Sequence, residues 1–226
     1  MLNEAHRIYN KLLKHFGKQH WWPADSPLEI VVGAILVQNT NWNNVEKALN
    51  NLKKAGKLNW RGLSALKHEE MARFFRPAGY YNIKARRLGN LLALFKKFRP
   101  WHSFFQQEAE PARQQLLAVN GIGPETADAL LLYVGHKPTF VADAYTLRFL
   151  SRHKRLPAKA GYDEIRNFFM ERLEPDSELF AEYHALILAL AKTYCRKSVA
   201  LCNQCPLREY LPSGAVNIKA GKTKNR

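Results

Sequence analysis

The sequence predicts an all-α fold, and three observations lead to this class. Apolar residues recur at the three- and four-residue spacing of an amphipathic helix along most of the chain. No stretch shows the strict alternation of polar and apolar residues that a half-buried strand requires. Proline and glycine separate the periodic segments, as they do between short helices. Because each such helix must bury its apolar face, the segments are expected to pack on one another.

The predicted helices follow in chain order. In the first, Ile8, Leu12 and Leu13 share one face. Pro27 marks the start of the second, because proline is favoured in the first helical turn, and the apolar segment after it continues to Val37. Further helices are predicted over the periodic segments 45–54, 68–75, 83–98, 112–119, 126–133, 144–150, 162–173 and 178–194.

The charge balance is strongly basic. The chain has 226 residues, with 35 Lys and Arg against 19 Asp and Glu, which gives a formal net charge of +16. Such an excess favours a polyanionic partner such as DNA, because phosphate contacts release condensed counterions. A basic protein with no such partner is the alternative that charge alone leaves open. The hydrophobic share of 46% is that of an ordinary globular protein, which excludes a disordered chain.

The sequence argues against membrane, secretory and disulfide-rich classes. The longest apolar run, from Leu28 to Val37, is interrupted by Glu29 and Gly33 and falls short of the roughly 18 residues that a membrane helix needs. The N-terminal segment is charged throughout and has no cleavage site of a secretory signal. All three cysteines fall within residues 195–205, which argues against a disulfide framework. We therefore expect a cytoplasmic, nucleoid-associated protein.

The segment from Asn120 to Thr126 reads Asn-Gly-Ile-Gly-Pro-Glu-Thr and lies between two predicted helices. Gly121 and Gly123 permit backbone angles closed to other residues and let a phosphate approach the main chain. The N–H groups at the start of the second helix then form an anion site. Ile122 is expected to plug the hairpin onto the core. The segment therefore predicts a DNA-binding hairpin, in which Gly121, Ile122, Gly123 and Thr126 are the candidate residues.

Four further segments occur in a fixed order around this hairpin. They are Leu-Val-Gln-Asn-Thr at 36–40, Gly-Tyr-Tyr-Asn-Ile-Lys-Ala at 79–85, Val-Ala-Asp-Ala-Tyr-Thr-Leu-Arg at 141–148 and Glu-Tyr-His-Ala-Leu-Ile at 182–187. Together with the hairpin, they resemble the helix-hairpin-helix DNA glycosylases of the endonuclease III superfamily over roughly residues 25–210.

The resemblance implies a two-lobed fold with the active site in the cleft between the lobes. A six-helix-barrel-like domain that contains the helix-hairpin-helix is expected over residues 25–135. A second helical lobe with the cysteine loop is expected over residues 1–24 and 136–211, and residues 212–226 are expected to form a basic flexible tail. The implied partner is double-stranded DNA that contains damaged bases, bound by a monomer.

The resemblance also assigns catalysis to Asp143. Cleavage of a glycosidic bond passes through an oxocarbenium-like sugar, which a fixed carboxylate stabilises while it orients or activates water. Taken alone, Asp143 also fits the N-cap of the helix over 144–150, a common role of aspartate. The two roles are compatible, because capping would hold the carboxylate in place.

Glu125 stands where the bifunctional members of the family have the lysine that forms a Schiff base. The resemblance therefore implies a monofunctional glycosylase without AP-lyase activity, most similar to the endonuclease III-like bacterial 3-methyladenine DNA glycosylases. The implied reaction is hydrolysis of the N-glycosidic bond of an alkylated purine. Locally, the helix dipole also favours a glutamate at this position. Glycosylases for oxidised pyrimidines or mismatched T or U, and a noncatalytic damaged-DNA-binding module, are the alternatives.

In that subgroup, a Trp-Pro pair and an aromatic residue after Gln-Asn-Thr line the base pocket. The corresponding residues here are Trp22 and Trp42, with Trp21 and Glu125 as further pocket candidates. An N-alkylated purine is electron-poor, so a sandwich between two indoles would supply stacking and cation–π attraction. The alternative is that these tryptophans belong to the core.

Gln38 and Tyr80 match the positions that fill the gap left by the flipped base and wedge the opposite strand in the family. Helix capping by Gln38 and a core position for Tyr80 are the alternatives. Lys84 is expected to contact phosphates, with a solvated basic face as the alternative. Arg148 is a further candidate for DNA binding.

The spacing of Cys195, Cys202 and Cys205 matches the first three ligands of the family's iron–sulfur loop. A [4Fe–4S] cluster normally takes four thiolates, and the fourth would fall at position 211, which is Leu211. The missing cysteine counts against a cluster, and no other cofactor is expected. The alternatives are a cluster with Glu209, Tyr210 or solvent as a weak fourth ligand, a labile cluster, or a degenerate loop that folds without metal.

Overall fold

In the computed structural model, which describes residues 3–212, the chain is helical and contains no strand beyond an isolated bridge between Cys195 and Ala200. This confirms the all-α prediction. Short 3₁₀ turns occur at Arg76–Ala78, Trp101–Gln106, Cys202–Gln204 and Arg208–Tyr210. The α-helices are α1 (Glu4–Phe16), α2 (Pro27–Leu36), α3 (Trp42–Lys54), α4 (Trp60–Ala65), α5 (His68–Phe75), α6 (Tyr81–Phe95), α7 (Ala109–Leu117), α8 (Pro124–Tyr133), α9 (Ala144–Arg152), α10 (Tyr162–Met170) and α11 (Ser177–Thr193).

Most differences from the predicted helices lie at their ends. The helix predicted over 83–98 begins earlier, at Tyr81, because Tyr80 adopts a left-handed conformation that ends the preceding turn and opens α6. The helix predicted over 162–173 ends at Met170. Helix α4 was not predicted, since six residues are too few to show a helical period. The tail predicted over 212–226 lies outside the described residues, apart from Pro212.

Side-chain caps explain where many of the helices begin. At these positions, a side-chain oxygen accepts a hydrogen bond from a backbone N–H of the first turn, which would otherwise lack a partner within the helix. Each of these residues is Asn, Ser or Asp, the types that cap best. The capping residues are Asn3, Ser26, Asn41, Asn59, Asp143 and Asp176.

The chain divides into two units. The first, Trp22–Pro138, contains α2 to α8 around a core to which every one of these helices contributes. Helices α7 and α8, which flank the predicted hairpin, are joined by a buried ion pair. The guanidinium of Arg113 donates to both carboxylate oxygens of Asp128, at 3.0 Å from Nε to Oδ1 and 3.0 Å from Nη2 to Oδ2. The two helices are thereby held side by side at the base of the hairpin.

The second unit comprises the segment up to Trp21 and the segment from Thr139 onward. In it, both α1 and α9 pack against α11. The phenol of Tyr183 on α11 donates to the carbonyl of Ala5 on α1 at 3.1 Å. The rings of Phe140 and Phe169 stack in its core with centroids 3.8 Å apart. Among residues 3–212, no helix has both the length and the apolar character to cross a membrane.

Candidate active site

The predicted hairpin is a tight loop between α7 and α8. Gly121 has φ of +94°, a left-handed conformation that disfavours a side chain. A Cβ atom at Gly121 would also overlap the Cγ atom of Arg87. Ile122 is buried and packs the hairpin onto the core. Gly123, the N-cap of α8, is exposed, and no atom lies within 4 Å of the place that a Cβ atom would take. The loop therefore presents bare backbone at Gly123 and is closely packed at Gly121.

Gln38 connects this hairpin to two helices. Its side-chain amide donates to Thr126 Oγ1 at 3.0 Å and to the carbonyl of Gly121 at 3.5 Å. Arg87 on α6 donates in turn to Gln38 Oε1. Thr126 is buried, so its side chain is not available for the predicted DNA contact, which would fall to its backbone N–H. Gln38 and Arg87 thus fix the position of the hairpin within the first unit.

Gly121→Ala should lower the free energy of unfolding of the protein by about 1–2 kcal/mol, because the left-handed backbone penalises a Cβ atom. The new methyl group would also displace Arg87 from Gln38. Urea unfolding measures the first effect, and fluorescence anisotropy with duplex DNA measures the accompanying loss of affinity. Gly123→Ala is the matched control for stability alone, since its φ of −95° suits alanine and it has open space around it. Equal stability of the two variants would contradict this reading of the hairpin.

The structure contradicts the prediction that Lys84 contacts phosphates. Lys84 is only 2% exposed, and its Nζ donates to the carbonyl of Ala78 at 2.7 Å. Burial, with a smaller contribution from the nearby Arg87 charge, lowers the pKa of the Lys84 ammonium to about 8. An ammonium held under a backbone turn cannot reach a DNA phosphate. Its position instead fixes the turn that leads into α6.

That turn carries an exposed apolar patch at the start of α6. Tyr80 has φ of +45°, an uncommon conformation for an aromatic residue, and 68% of it is exposed. Tyr81 and Ile83 are also exposed. Large side chains presented together in this way commonly mark an interaction surface. The alternative of a core position for Tyr80 is thus wrong, whereas its role as a wedge stays a prediction.

Trp22 and Trp42 lie in one aromatic cluster, but they do not form a sandwich. Their ring centroids are 5.5 Å apart with an interplanar angle of 78°, so the edge of one ring meets the face of the other. This geometry contradicts the expectation that a base is held between the two indoles, because no space for a third ring remains. Tyr133 on α8 is the third member, with its ring centroid 5.3 Å from that of Trp22. The indole of Trp22 also packs over Gly33, where a Cβ atom would be 3.4 Å from it.

The other two pocket candidates belong to different units. Glu125 lies exposed in the first turn of α8, within the first unit. Trp21 belongs to the second unit, where the ammonium of Lys192 lies 5.7 Å from its ring centroid.

Asp143 is the N-cap of α9 and is almost fully buried. Its Oδ1 accepts from the backbone N–H of Thr146 at 2.7 Å and from the Thr146 hydroxyl at 2.8 Å. Its Oδ2 faces Nε2 of His184 on α11 at 3.5 Å. Burial acts to raise the pKa of the Asp143 carboxyl, but His184 and the two donors of Thr146 outweigh it, so the pKa lies below its ordinary value. The structure thus provides a buried, oriented carboxylate that stays ionised at neutral pH.

The cysteine loop, residues 195–205, does not offer the ligands of a four-thiolate cluster. Its three cysteines form no disulfide, and burial raises the pKa of the Cys205 thiol to about 11. Leu211 stands where the family's fourth ligand would be. Within residues 3–212, no group of three or more His, Cys, Asp or Glu side chains is placed to hold a metal ion. These residues do not fit the cluster.

Arginines of α9 hold the cysteine loop instead. Arg152 donates to Cys195 Sγ at 3.2 Å and to the carbonyls of Arg196 and Lys197 at 2.8 Å and 3.2 Å. Arg148 donates to the carbonyl of Cys195 at 2.8 Å. Arg148 therefore has a structural partner in the loop, and its contact with DNA stays a prediction. These hydrogen bonds connect residues 195–197 of the loop to α9.

Sequence reasoning did not assign roles to Tyr133 or His184, and it interpreted Arg87 as a phosphate contact rather than as the partner of Gln38. His184 lies in a segment that carried the family resemblance, but Asp143 is distant from it in sequence and only the fold brings the two together. Tyr133 ends the predicted helix over 126–133, where an aromatic residue reads simply as core. A signal for His184 was available, since a histidine in an otherwise apolar helix requires a polar partner once it is buried.

A family profile and several known proteins are similar to this chain. The profile of the HhH-GPD superfamily of base excision DNA repair proteins matches residues 32–175. A protein of Methanocaldococcus jannaschii, named as a DNA repair glycosylase, is 43% identical over 91% of this chain and 94% of its own length.

Two of the solved structures that share the fold illustrate the similarity. One is the H. pylori 3-methyladenine DNA glycosylase bound to 1,N6-ethenoadenine, with a TM-score of 0.72 and 30% identity, covering 84% of this chain and 98% of that chain. The other is an endonuclease III trapped as a covalent intermediate with DNA, with a TM-score of 0.76, covering 93% of this chain and 96% of that chain. At 20% identity, the second similarity is one of fold alone.

Proposed function

Since the chain belongs to the HhH-GPD superfamily of base excision DNA repair proteins, we propose from this premise that it is a monofunctional DNA glycosylase for alkylated purines of the 3-methyladenine type in double-stranded DNA. The observation that carries the proposal is the buried carboxylate of Asp143, which is fixed at the start of α9 and held ionised. A protein that only bound DNA would not need a charged side chain here, because an uncharged Asn or Ser would cap α9 equally well.

In the proposed reaction, the bond between C1′ of the sugar and the purine nitrogen breaks, and the base leaves with the bonding electrons. An alkylated purine that carries a positive charge leaves as a neutral base, so no acid is needed to protonate it. Asp143 would stabilise the positive charge that develops on the sugar. Water then adds its oxygen to C1′ and loses a proton, which leaves an abasic site and an intact strand.

We propose that the aromatic cluster of Trp22, Trp42 and Tyr133 contacts the damaged base. The cluster cannot enclose a base between Trp22 and Trp42, so we infer stacking against one face of a single indole. A cationic purine is attracted to such a face by cation–π interaction. The H. pylori relative, which is 30% identical, was solved with 1,N6-ethenoadenine, a modified adenine, and this supports a purine as the substrate.

DNA binding is proposed to use the exposed backbone of the hairpin and the exposed patch before α6. Gly123 lets a phosphate approach the N–H groups that open α8, and the dipole of that helix favours the negative charge. Tyr80 would insert between the stacked bases of the DNA as a wedge. This contact offsets the free-energy cost of unstacking the flipped nucleotide. Gln38, which contacts the hairpin, would fill the gap that the flipped base leaves in the duplex. The net charge of +16 adds attraction that does not depend on sequence.

The proposal is tested by single-turnover base release from a methylated DNA duplex, with the released base identified by mass. Wild-type protein should release 3-methyladenine or 7-methylguanine, and an unmethylated duplex should give no release. Further duplexes contain an oxidised pyrimidine or a mismatched thymine or uracil. Release of one of these bases, with no release of alkylated purines, would overturn the assigned substrate. Binding to all of these duplexes without release of any base would overturn the assigned reaction in favour of a noncatalytic module.

The absence of lyase activity is tested by treating the enzyme with borohydride in the presence of abasic DNA. Because Glu125 replaces the lysine of bifunctional relatives, we expect no covalent adduct and no strand nicking at neutral pH. Trapping of an adduct through any lysine would contradict the monofunctional assignment.

A further inference from the structure

The two oxygens of the Asp143 carboxylate have different surroundings. Oδ1 is occupied by the backbone N–H and the hydroxyl of Thr146, which belong to the same helical turn. Oδ2 is the oxygen that faces His184, which comes from α11. The side chains of Asp143 and His184 are 11% and 8% exposed, so solvent contributes little to the solvation of either group. Oδ1 is therefore held by a residue close in sequence, whereas the residue beside Oδ2 is brought there by the tertiary fold.

We propose that His184 is a positioning residue for the glycosylase reaction, which orients Oδ2 of Asp143 and keeps this carboxylate ionised in its buried site. The inference rests on the proposed function, in which Asp143 is the catalytic residue. His184 would not contact the substrate, since it acts through Asp143. Its role is to make a buried negative charge stable where water is largely excluded.

The fold leaves the imidazole of His184 little freedom to move. Helix α11 is capped at its start by Asp176, which accepts from two backbone N–H groups of the first turn. The neighbouring Tyr183 is hydrogen-bonded to α1 through the carbonyl of Ala5. The ring of Phe140 meets the imidazole at an interplanar angle of 90° with centroids 6.4 Å apart. His184 is therefore held in place by a fixed helix and an aromatic ring.

Three charged side chains of the second unit have hydrogen-bond partners other than Asp143. On α10, Arg166 donates to the hydroxyl of Thr139 at 2.9 Å. On α9, Arg148 donates to the cysteine loop. On α11, Glu182 accepts from the backbone of Gln19 at 2.6 Å. The interactions that lower the pKa of Asp143 come from His184 and Thr146, against the opposing effect of burial. Removal of His184 should therefore raise the pKa of Asp143.

Two substitutions at His184 separate the effect of an N–H donor on the orientation of the Asp143 carboxylate from the effect of the imidazole on its ionisation. His184→Gln retains a neutral N–H donor at a similar distance from the backbone, whereas His184→Leu removes the donor altogether. His153→Gln is the matched control, because His153 is a buried histidine of the same unit whose Nδ1 contacts the carbonyl of Phe149 at 2.9 Å. Circular dichroism and urea unfolding first establish the folded fraction of each variant.

The primary measurement is the pKa of the Asp143 carboxyl, obtained by NMR titration of protein labelled with ¹³C-aspartate and assigned by comparison with Asp143→Asn. We expect the pKa to rise by about one unit or more in both His184 variants and to be unchanged in the control. Single-turnover base release should lose activity at a higher pH than in wild type when the solution is acidified. At a pH where Asp143 is ionised, the Gln variant should be faster than the Leu variant.

The outcomes distinguish this inference from the proposed function. An unchanged pKa of Asp143 in folded His184→Gln and His184→Leu overturns the role of His184, whether or not the wild type releases bases. A raised pKa together with wild-type protein that releases no base supports the coupling of the two residues and refutes the glycosylase assignment. A rate loss that only follows the folded fraction, with the pH profile unchanged, would leave His184 a structural residue and overturn the proposal.

Discussion

Asp143→Asn should reduce the rate of base release by about 10²–10³-fold and leave the fold intact. Asparagine preserves the shape of the side chain and is itself a good N-cap, so it can still accept from the N–H of Thr146 and open α9. It lacks the negative charge that stabilises an oxocarbenium-like sugar. The measurement is single-turnover release from methylated duplex DNA, with binding to a duplex that contains an abasic-site analogue measured alongside. We expect binding to be retained.

Asp176→Asn is the matched control for this experiment. Asp176 is the N-cap of α11 in the same unit and accepts from the backbone N–H groups of Glu178 and Leu179. The two substitutions therefore make the same chemical change at two helix starts, and only that at Asp143 should affect the reaction. If Asp143→Asn released bases at the wild-type rate, the carboxylate would be a helix cap alone.

Arg113→Met should lower the free energy of unfolding by about 3–5 kcal/mol, because it removes the guanidinium that compensates the buried carboxylate of Asp128. Asp128 is fully buried, and the guanidinium of Arg113 donates to both of its oxygens. Urea unfolding, followed by circular dichroism, measures the loss. Since α7 and α8 flank the hairpin, affinity for duplex DNA should fall as well.

The double variant Arg113→Met with Asp128→Asn supplies the control. Removal of both charges should restore a substantial part of the lost stability, since the main cost in the single variant is an uncompensated buried charge. Losses that simply add would show that the two side chains contribute through packing rather than through their ion pair. Lys53, whose ammonium is more exposed and contacts Asp25 and Glu29, offers a further comparison. There, Lys53→Met should cost less, because the more exposed site is screened by water.

Features that depend on neighbouring residues in sequence were predicted well. The helices, the hairpin at Gly121 to Gly123 and the capping role of Asp143 all follow from spacing and from the local preferences of Gly, Pro and Asp. The all-α class is confirmed because most helices, unlike α4, are long enough to show their period. These features require no knowledge of what lies across the fold.

Features that depend on tertiary packing were not predicted. A lysine in the sequence reads as exposed, and only the fold shows that Lys84 lies beneath the turn before α6. The edge-to-face contact of Trp22 and Trp42 depends on how α2 and α3 are placed, and spacing carries no information about ring angles. His184 faces Asp143 only because α11 packs on α9. Its function as a partner could not be derived from its own segment.

The discontinuity of the second unit has a consequence for the order of events during synthesis. Helix α1 is made well before α11, yet its apolar face, with Ile8 and Leu12, is covered by packing on α11. The hydrogen bond from Tyr183 to Ala5 joins residues 178 positions apart. The continuous segment Trp22–Pro138 has all its helices once it has emerged from the ribosome, whereas the apolar side chains of nascent α1 stay uncovered until α11 has been made. During that interval α1 is exposed to aggregation.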